Sequence, residues 1–354
     1  MKVQLRLATA VAVLLLAAPA AAQAKTKSVT VGTPPATQRT LQKGGVDANA
    51  FFPGKVTINA GDSIKFLPSG FHTVDIPNKG GDDMLPLFTP TGQNVANSVD
   101  AAGAPFWFNG QPGLTFNPAF GKSSFGKKLT YTGAKRIESG LPPDKPKPLT
   151  VKFTKAGSFD IYCDIHPGMK GTVVVRKKGA AVPTAAQDSK AVKKQTAAAI
   201  AGAKGLATQS QPANTVSLGV AGKGGLEYFG MVPATLTVKT GTTVKFQMSP
   251  GSYEGHTATF GPGNPETEPA SYLGQVTAGF ERGDPRAIYP SNPPGAPFAL
   301  TTTSHGNGFW NSGVLDAAAA SPLPSSASVQ FGAPGTYTYY CLIHPFMKGT
   351  VVVQ

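Results

Sequence analysis

Only two of the 354 residues are cysteines, Cys163 and Cys341, and only five are histidines. Two thiols make one disulfide at most, so no disulfide framework holds this chain together. Charged residues are scarce, at 14%, which disfavours helical bundles. No apolar run long enough to span a bilayer follows the first 24 residues, so no integral membrane segment is expected after them. The basic residues are not interleaved densely with aromatics, and a nucleic-acid groove is not expected.

What the chain has in quantity is glycine and proline, 42 and 32 residues, with 40% hydrophobic residues. That balance suits turn-rich β-structure, and the length suits two domains of ordinary size. The N-terminus begins with Lys2 and Arg6, continues as an apolar run from Leu7 to Ala18, and ends in Ala22-Gln23-Ala24. Residues 1–24 read as a cleavable signal peptide, which predicts a periplasmic or otherwise secreted, cell-envelope protein. The formal charge of +14 is uneven. Residues 25–175 carry +7, residues 176–210 carry +6 and residues 211–354 carry −1. The basic excess predicts acidic partners or an anionic surface for the first half and the connector.

The two halves repeat. Ser28-Val-Thr-Val-Gly32 returns as Thr215-Val-Ser-Leu-Gly219, and Ala60-Gly-Asp-Ser-Ile-Lys-Phe66 as Thr240-Gly-Thr-Thr-Val-Lys-Phe246. Gly157-Ser-Phe-Asp-Ile-Tyr-Cys163 returns as Gly335-Thr-Tyr-Thr-Tyr-Tyr-Cys341, and Met169-Lys-Gly-Thr-Val-Val-Val175 as Met347-Lys-Gly-Thr-Val-Val-Val353. The cysteines are 178 positions apart, a whole-domain period. These blocks alternate apolar and polar residues between glycines and prolines, the signature of strands. The expected fold is all-β: two tandem domains, residues 25–176 and 211–354, each an antiparallel sandwich or barrel, joined by a linker over residues 177–210. The linker is rich in Ala and Lys; Thr184 with Gln187 resembles a capping box, and Gly205 suits a helix end. A partly helical, solvated spacer is expected there.

Four of the five histidines occupy repeated positions. Cys163, His166 and Met169 stand three apart after one strand block, and Cys341, His344 and Met347 do so after its repeat. His72 and His256 follow the earlier strand blocks. A thiolate and two imidazoles with a weak axial thioether form a blue-copper electron-transfer site, since soft sulfur suits Cu(I) and imidazole tolerates Cu(II). Structural zinc sites prefer Cys and His without Met. A Cys163–Cys341 disulfide would leave the repeated histidines and methionines without purpose.

The runs Tyr162-Cys-Asp-Ile-His-Pro-Gly-Met-Lys-Gly171 and Tyr340-Cys-Leu-Ile-His-Pro-Phe-Met-Lys-Gly349 resemble the ligand loop of the plastocyanin/azurin (cupredoxin) family, in its short, amicyanin-like form. The resemblance implies Greek-key β-sandwiches and two coppers per chain. It makes His72, Cys163, His166 and Met169 ligands of the first, and His256, Cys341, His344 and Met347 ligands of the second. The implied activity is transport of single electrons to and from redox partner proteins.

Two features depart from the small single-domain members. The upstream His and the Cys are 91 positions apart in the first half and 85 in the second. The extra stretches hold Phe106-Trp107-Phe108, Phe309-Trp310, and the paired runs Ser139-Gly-Leu-Pro142 and Ser312-Gly-Val-Leu315. They are expected to be loops and strands covering the core. His305 has no counterpart in the first half and is expected on a surface loop. Copper oxidases and nitrite reductases, also built from cupredoxin domains, need further histidines, beside the Cys or as His-x-His. Cys163 lies between Tyr162 and Asp164, Cys341 between Tyr340 and Leu342, and no His-x-His occurs. An enzyme is therefore not expected; copper storage or delivery, or a surface-binding module, is the alternative to electron transport. Gly168 precedes the first Met and Phe346 the second. This predicts a better shielded second site with the higher potential.

Overall fold

The computed structural model describes residues 24–79, 84–296, 298–318 and 321–354. The expected signal peptide lies almost wholly outside them. No helix among the described residues is long and apolar enough to cross a membrane.

The structure is mostly β. In the first half, strands Thr26–Val31, Ser63–Pro68, Leu149–Phe153, Lys128–Tyr131 and Phe51–Phe52 form one five-stranded sheet. Strands Lys55–Asn59, Lys170–Arg176, Gly157–Tyr162, Asp75–Ile76 and Ile137–Glu138 form a second. Their inward residues, among them Val29, Ile58, Ile64, Phe66, Val151 and Ile161, close one core. The period-2 alternation puts them there: in Lys170–Arg176 buried Gly171, Val173 and Val175 alternate with outward positions. The second half repeats the arrangement. Thr215–Gly222, Leu226–Val232, Thr243–Met248 and Ser326–Phe331 belong to one sheet. Thr235–Val238, Lys348–Val353, Gly335–Tyr340, Thr259–Phe260 and Trp310–Asn311 form the other. Val216, Phe246, Phe260, Val329, Tyr339 and Val351 lie in its core.

In both halves the strand ending at the cysteine pairs antiparallel with the strand that follows the methionine: Tyr162 faces Lys170, and Tyr340 faces Lys348. The seven residues between are thus a tight loop at one end of each sandwich.

The halves interlock. Strand Val46–Ala48 leaves the first half and pairs antiparallel with Leu226–Tyr228, becoming an edge strand of the second half's sheet. The long stretches between upstream His and Cys cover more than their own cores. Phe106 and Phe108 pack with Leu273, Phe309 and Tyr340 of the other half. The Trp107 indole donates to the Pro290 carbonyl at 2.8 Å, and the Tyr289 hydroxyl to the Pro112 carbonyl at 2.7 Å. His305 is not a free surface residue. It is half-buried, 3.1 Å from the Asp100 carboxylate and stacked against Phe298.

The connector also differs from a solvated spacer. Thr184 and Gln187 form the capping box that opens helix Ala185–Gly202. The helix stops three residues short of Gly205, which takes a left-handed conformation before a short 3-10 turn. Gln195 donates to the Phe51 carbonyl and accepts from the Gly54 N–H. Lys27 pairs with Asp188 at 2.7 Å. Val192, Ala199 and Leu206 cluster with Leu41, Phe52, Val220 and Leu226. The helix lies on both halves because its few apolar residues meet a groove that both supply.

Candidate metal centres

Each site begins with a glycine. Gly32 and Gly219 end the first strand blocks with φ of +91° and +73°. A Cβ on Gly32 would sit 2.5 Å from the His72 ring, and one on Gly219 would sit 2.9 Å from His256 Nε2. Only glycine takes this turn while leaving the ring its space. The repeated Gly was visible in the sequence, but its purpose was not.

In the first half the His72 and His166 Nδ1 atoms lie 2.9 Å apart. Cys163 Sγ is 3.4 Å from His166 Nδ1 and 3.9 Å from His72 Nδ1. In the second half the Nδ1 atoms of His256 and His344 are 3.1 Å apart, with Cys341 Sγ 3.7 and 3.8 Å away. Three donors each bound at about 2.0–2.3 Å to one ion are themselves about 3.5 Å apart. Both triads therefore fit a single soft, small cation. Met169 and Met347 are buried on the same loops. Cys163 N–H donates to the Met169 carbonyl and Met169 N–H to the His166 carbonyl, and Cys341, His344 and Met347 repeat both bonds. The structure thus brings each His–Cys–His set together and holds each Met one turn away.

The shell around each sulfur is duplicated too. Thr73 N–H points at Cys163 Sγ (3.3 Å), while its hydroxyl accepts from Asp164 N–H. Thr257 does the same for Cys341 (3.4 Å) and Leu342 N–H. One residue on, Val74 N–H donates to Ser139 Oγ, and Ala258 N–H to Ser312 Oγ. The repeated Ser-Gly pairs thus pin the strand that carries the upstream His. Burial alone would push the Cys163 thiol up, but the adjacent His166 and His72 outweigh it and hold it well below its usual range. His256 and His344 do this for Cys341. Both cysteines are buried and free of disulfides. A thiolate is the form a soft metal binds.

The outward nitrogens meet carboxylates. His166 Nε2 is 3.2 Å from Glu254 Oε1, and His344 Nε2 is 3.5 Å from Glu254 Oε2. His256 Nε2 is 3.7 Å from Glu227 Oε1. Burial would lower the His256 pKa, but Cys341 and Glu227 push it up to about 10. Sequence reading missed both glutamates. Glu254 sits two residues before His256, and the first half offers no acid at the matching place, Gly70. A third group, buried Asp75 and Asp164 with half-buried Glu138, gathers at the first loop, with Arg136 3.5 Å from Asp75. Burial first, then Asp164, pushes Glu138 up to about 10, so the group holds a proton at neutral pH.

Both loops open on a cleft of about 1170 Å³ between the halves, lined by Phe71, His72, His166, Phe229, His344 and Phe346 among others. The expected shielding is reversed here. Phe346 is 54% exposed, whereas the place beside Gly168 is filled by the Tyr253 ring, which a Cβ on Gly168 would meet at 2.4 Å. The His166 side chain is 9% exposed and that of His344 18%.

No family model matches the chain. A stretch of 27 residues, 8% of the chain, is 70% identical to amicyanin-alpha of Methylorubrum extorquens, and the match spans 23% of that relative's length. Among solved structures, amicyanin from Paracoccus versutus is similar over 42% of this chain and 88% of its own, at 17% identity and a TM-score of 0.22. Oxidised plastocyanin from Dryopteris crassirhizoma is similar over 40% of this chain and 99% of its own, at 22% identity and a TM-score of 0.21.

Proposed function

We propose that this chain is a cell-envelope type 1 copper protein that carries single electrons and has no catalytic centre. It would hold one copper in each of two tandem cupredoxin units, residues 25–176 and 211–354. The observation that carries this reading is the twofold convergence of two imidazole Nδ1 atoms and one buried thiolate. His72, Cys163, His166 and Met169 would hold the first ion, and His256, Cys341, His344 and Met347 the second. Copper bound there supplies a one-electron couple.

The chain's own contribution is rigidity. The Thr73 and Thr257 amides hold the buried sulfurs, and the paired serines lock the strands that carry the upstream histidines. Glycines at 32 and 219 let the upstream rings seat without displacing backbone. A site held this firmly keeps its shape in both oxidation states, which lowers the cost of gaining or losing an electron. The basic first half supports an acidic redox partner.

Copper titration of the purified chain tests this. Two equivalents are expected to bind, with an intense blue thiolate charge-transfer band. Cys163→Ser and Cys341→Ser should each remove one equivalent and about half of the absorbance. A fully loaded but colourless protein, or loss of both centres in a folded single variant, would sink the reading.

A further inference from the structure

In each candidate centre the ring nitrogens of the loop histidine face two ways. Nδ1 turns to its own cysteine, at 3.4 Å for His166 and 3.8 Å for His344. Nε2 turns away from it, and there both rings, one from each half, meet the same side chain, Glu254 of the second half. Glu254 Oε1 stands 3.2 Å from His166 Nε2 and Oε2 stands 3.5 Å from His344 Nε2. The carboxylate is buried and held from several sides. Asn49 of the first half donates to Oε1 at 2.6 Å, and the Asn49 N–H is itself fixed on the Gly225 carbonyl. The Glu254 N–H donates to Ser252 Oγ, whose hydroxyl donates on to Glu227.

A buried carboxylate costs several kcal/mol unless charge or hydrogen bonds compensate it, so packing alone does not account for it. Here donors and acceptors match. An imidazole that binds metal through Nδ1 keeps one N–H, at Nε2, and conventionally gives it to a carboxylate or carbonyl. Two such rings offer two N–H groups, and one carboxylate offers two oxygens.

We propose that Glu254 joins the two copper centres into one redox pair, passing single electrons between them along His166–Glu254–His344. This rests on the reading of both centres as type 1 copper. The step balances without a co-reactant: a reduced centre, Cu(I), loses one electron and the oxidised one, Cu(II), gains it. No bond is made or broken, and each Nε2 keeps its proton. The shared negative charge also favours Cu(II) at both ends, so Glu254 sets both potentials as well as the path.

The test uses the full copper-loaded chain, half-reduced by a fast pulse of a small one-electron reductant. Relaxation between the two centres should follow a rate independent of protein concentration. Glu254→Gln keeps the shape, removes the charge, and leaves one oxygen for two N–H groups. With both blue bands retained, it should slow that relaxation by about 10- to 100-fold, the usual scale for loss of a partner to a metal-bound histidine. It should also raise both potentials, which a merely structural role would not do. Relaxation that is second order in protein in the unaltered chain overturns the proposal. So does an unchanged rate in a Glu254→Gln protein that holds two blue centres. Failure of the unaltered chain to turn blue overturns instead the reading on which the proposal stands.

Discussion

Gly32 illustrates how a single atom decides whether a site exists. Its φ of +91° is costly for any other residue, and a Cβ there would lie 1.9 Å from the Ser69 carbonyl oxygen and 2.5 Å from His72. Gly61 has a similar φ of +98° and nothing within 4 Å. Gly61→Ala is therefore expected to cost about 1 kcal/mol of strain and leave two coppers bound. Gly32→Ala should cost more than about 3 kcal/mol, because backbone and ring must both shift, and should empty the first site. Denaturant unfolding with copper titration checks the pair; equal losses in both variants would remove the glycine from the account of the site. The methionines make a second prediction at this scale. Met169→Gln or Met347→Gln should keep its copper, because Cys and two His supply the strong bonds, and should lower that site's potential, because an amide oxygen favours Cu(II). Before substitution the first site is expected to have the higher potential. Its loop histidine is the less exposed, and a drier site disfavours the extra charge of Cu(II). Voltammetry on Cys163→Ser and Cys341→Ser, each with one copper, reads the order; a higher second potential would show that exposure does not set it.

At the scale of elements, the repeated blocks were legible as strands because period-2 alternation between glycines and prolines has one structural meaning. The candidate ligand residues stood out because their spacing occurs twice. What was not legible is where elements go when they leave their own half. Val46-Asp47-Ala48 is too short to announce a strand, and its partner Leu226–Tyr228 lies some 180 positions away. Phe106, Phe108 and Phe309 read as core aromatics, which they are, but the core they build joins both halves. The connector helix misled for a related reason. Its apolar face is thin, yet Gln195 makes two hydrogen bonds to the backbone at Phe51 and Gly54, beside the buried Phe52. Gln195→Ala should thus cost about 1–2 kcal/mol, as two backbone groups lose their partner, whereas an exposed spacer would tolerate it within about 0.5 kcal/mol. A change below that limit would return the helix to the status of a tether.

For the whole molecule, the balance of contacts argues against two beads on a string. A donated edge strand, the Trp107–Pro290 and Tyr289–Pro112 hydrogen bonds, the Asp100–His305 contact and three mixed apolar clusters all cross between the halves. One of these clusters packs Val276, Phe280, Val314 and Leu342 with Phe88. Inter-domain surfaces that are small and polar let domains melt separately, whereas large apolar ones couple them. Both candidate copper loops sit against this boundary, so neither half can loosen without disturbing the other's candidate centre. The copper-loaded chain is therefore expected to unfold in one cooperative transition, with both blue bands bleaching at the same temperature. Copper held by the native state would stabilise it by mass action, so Cys163→Ser should lower the temperature at which the remaining second-site band bleaches, although the residues proposed to hold that copper are untouched. Trp107→Ala combined with Asp100→Ala should then separate the two bleaching events by weakening the boundary. Calorimetry and absorbance followed on the same heating ramp decide the matter. Two well-spaced transitions in the unaltered chain would show the halves to be independent and would leave Glu254 spanning a joint that opens.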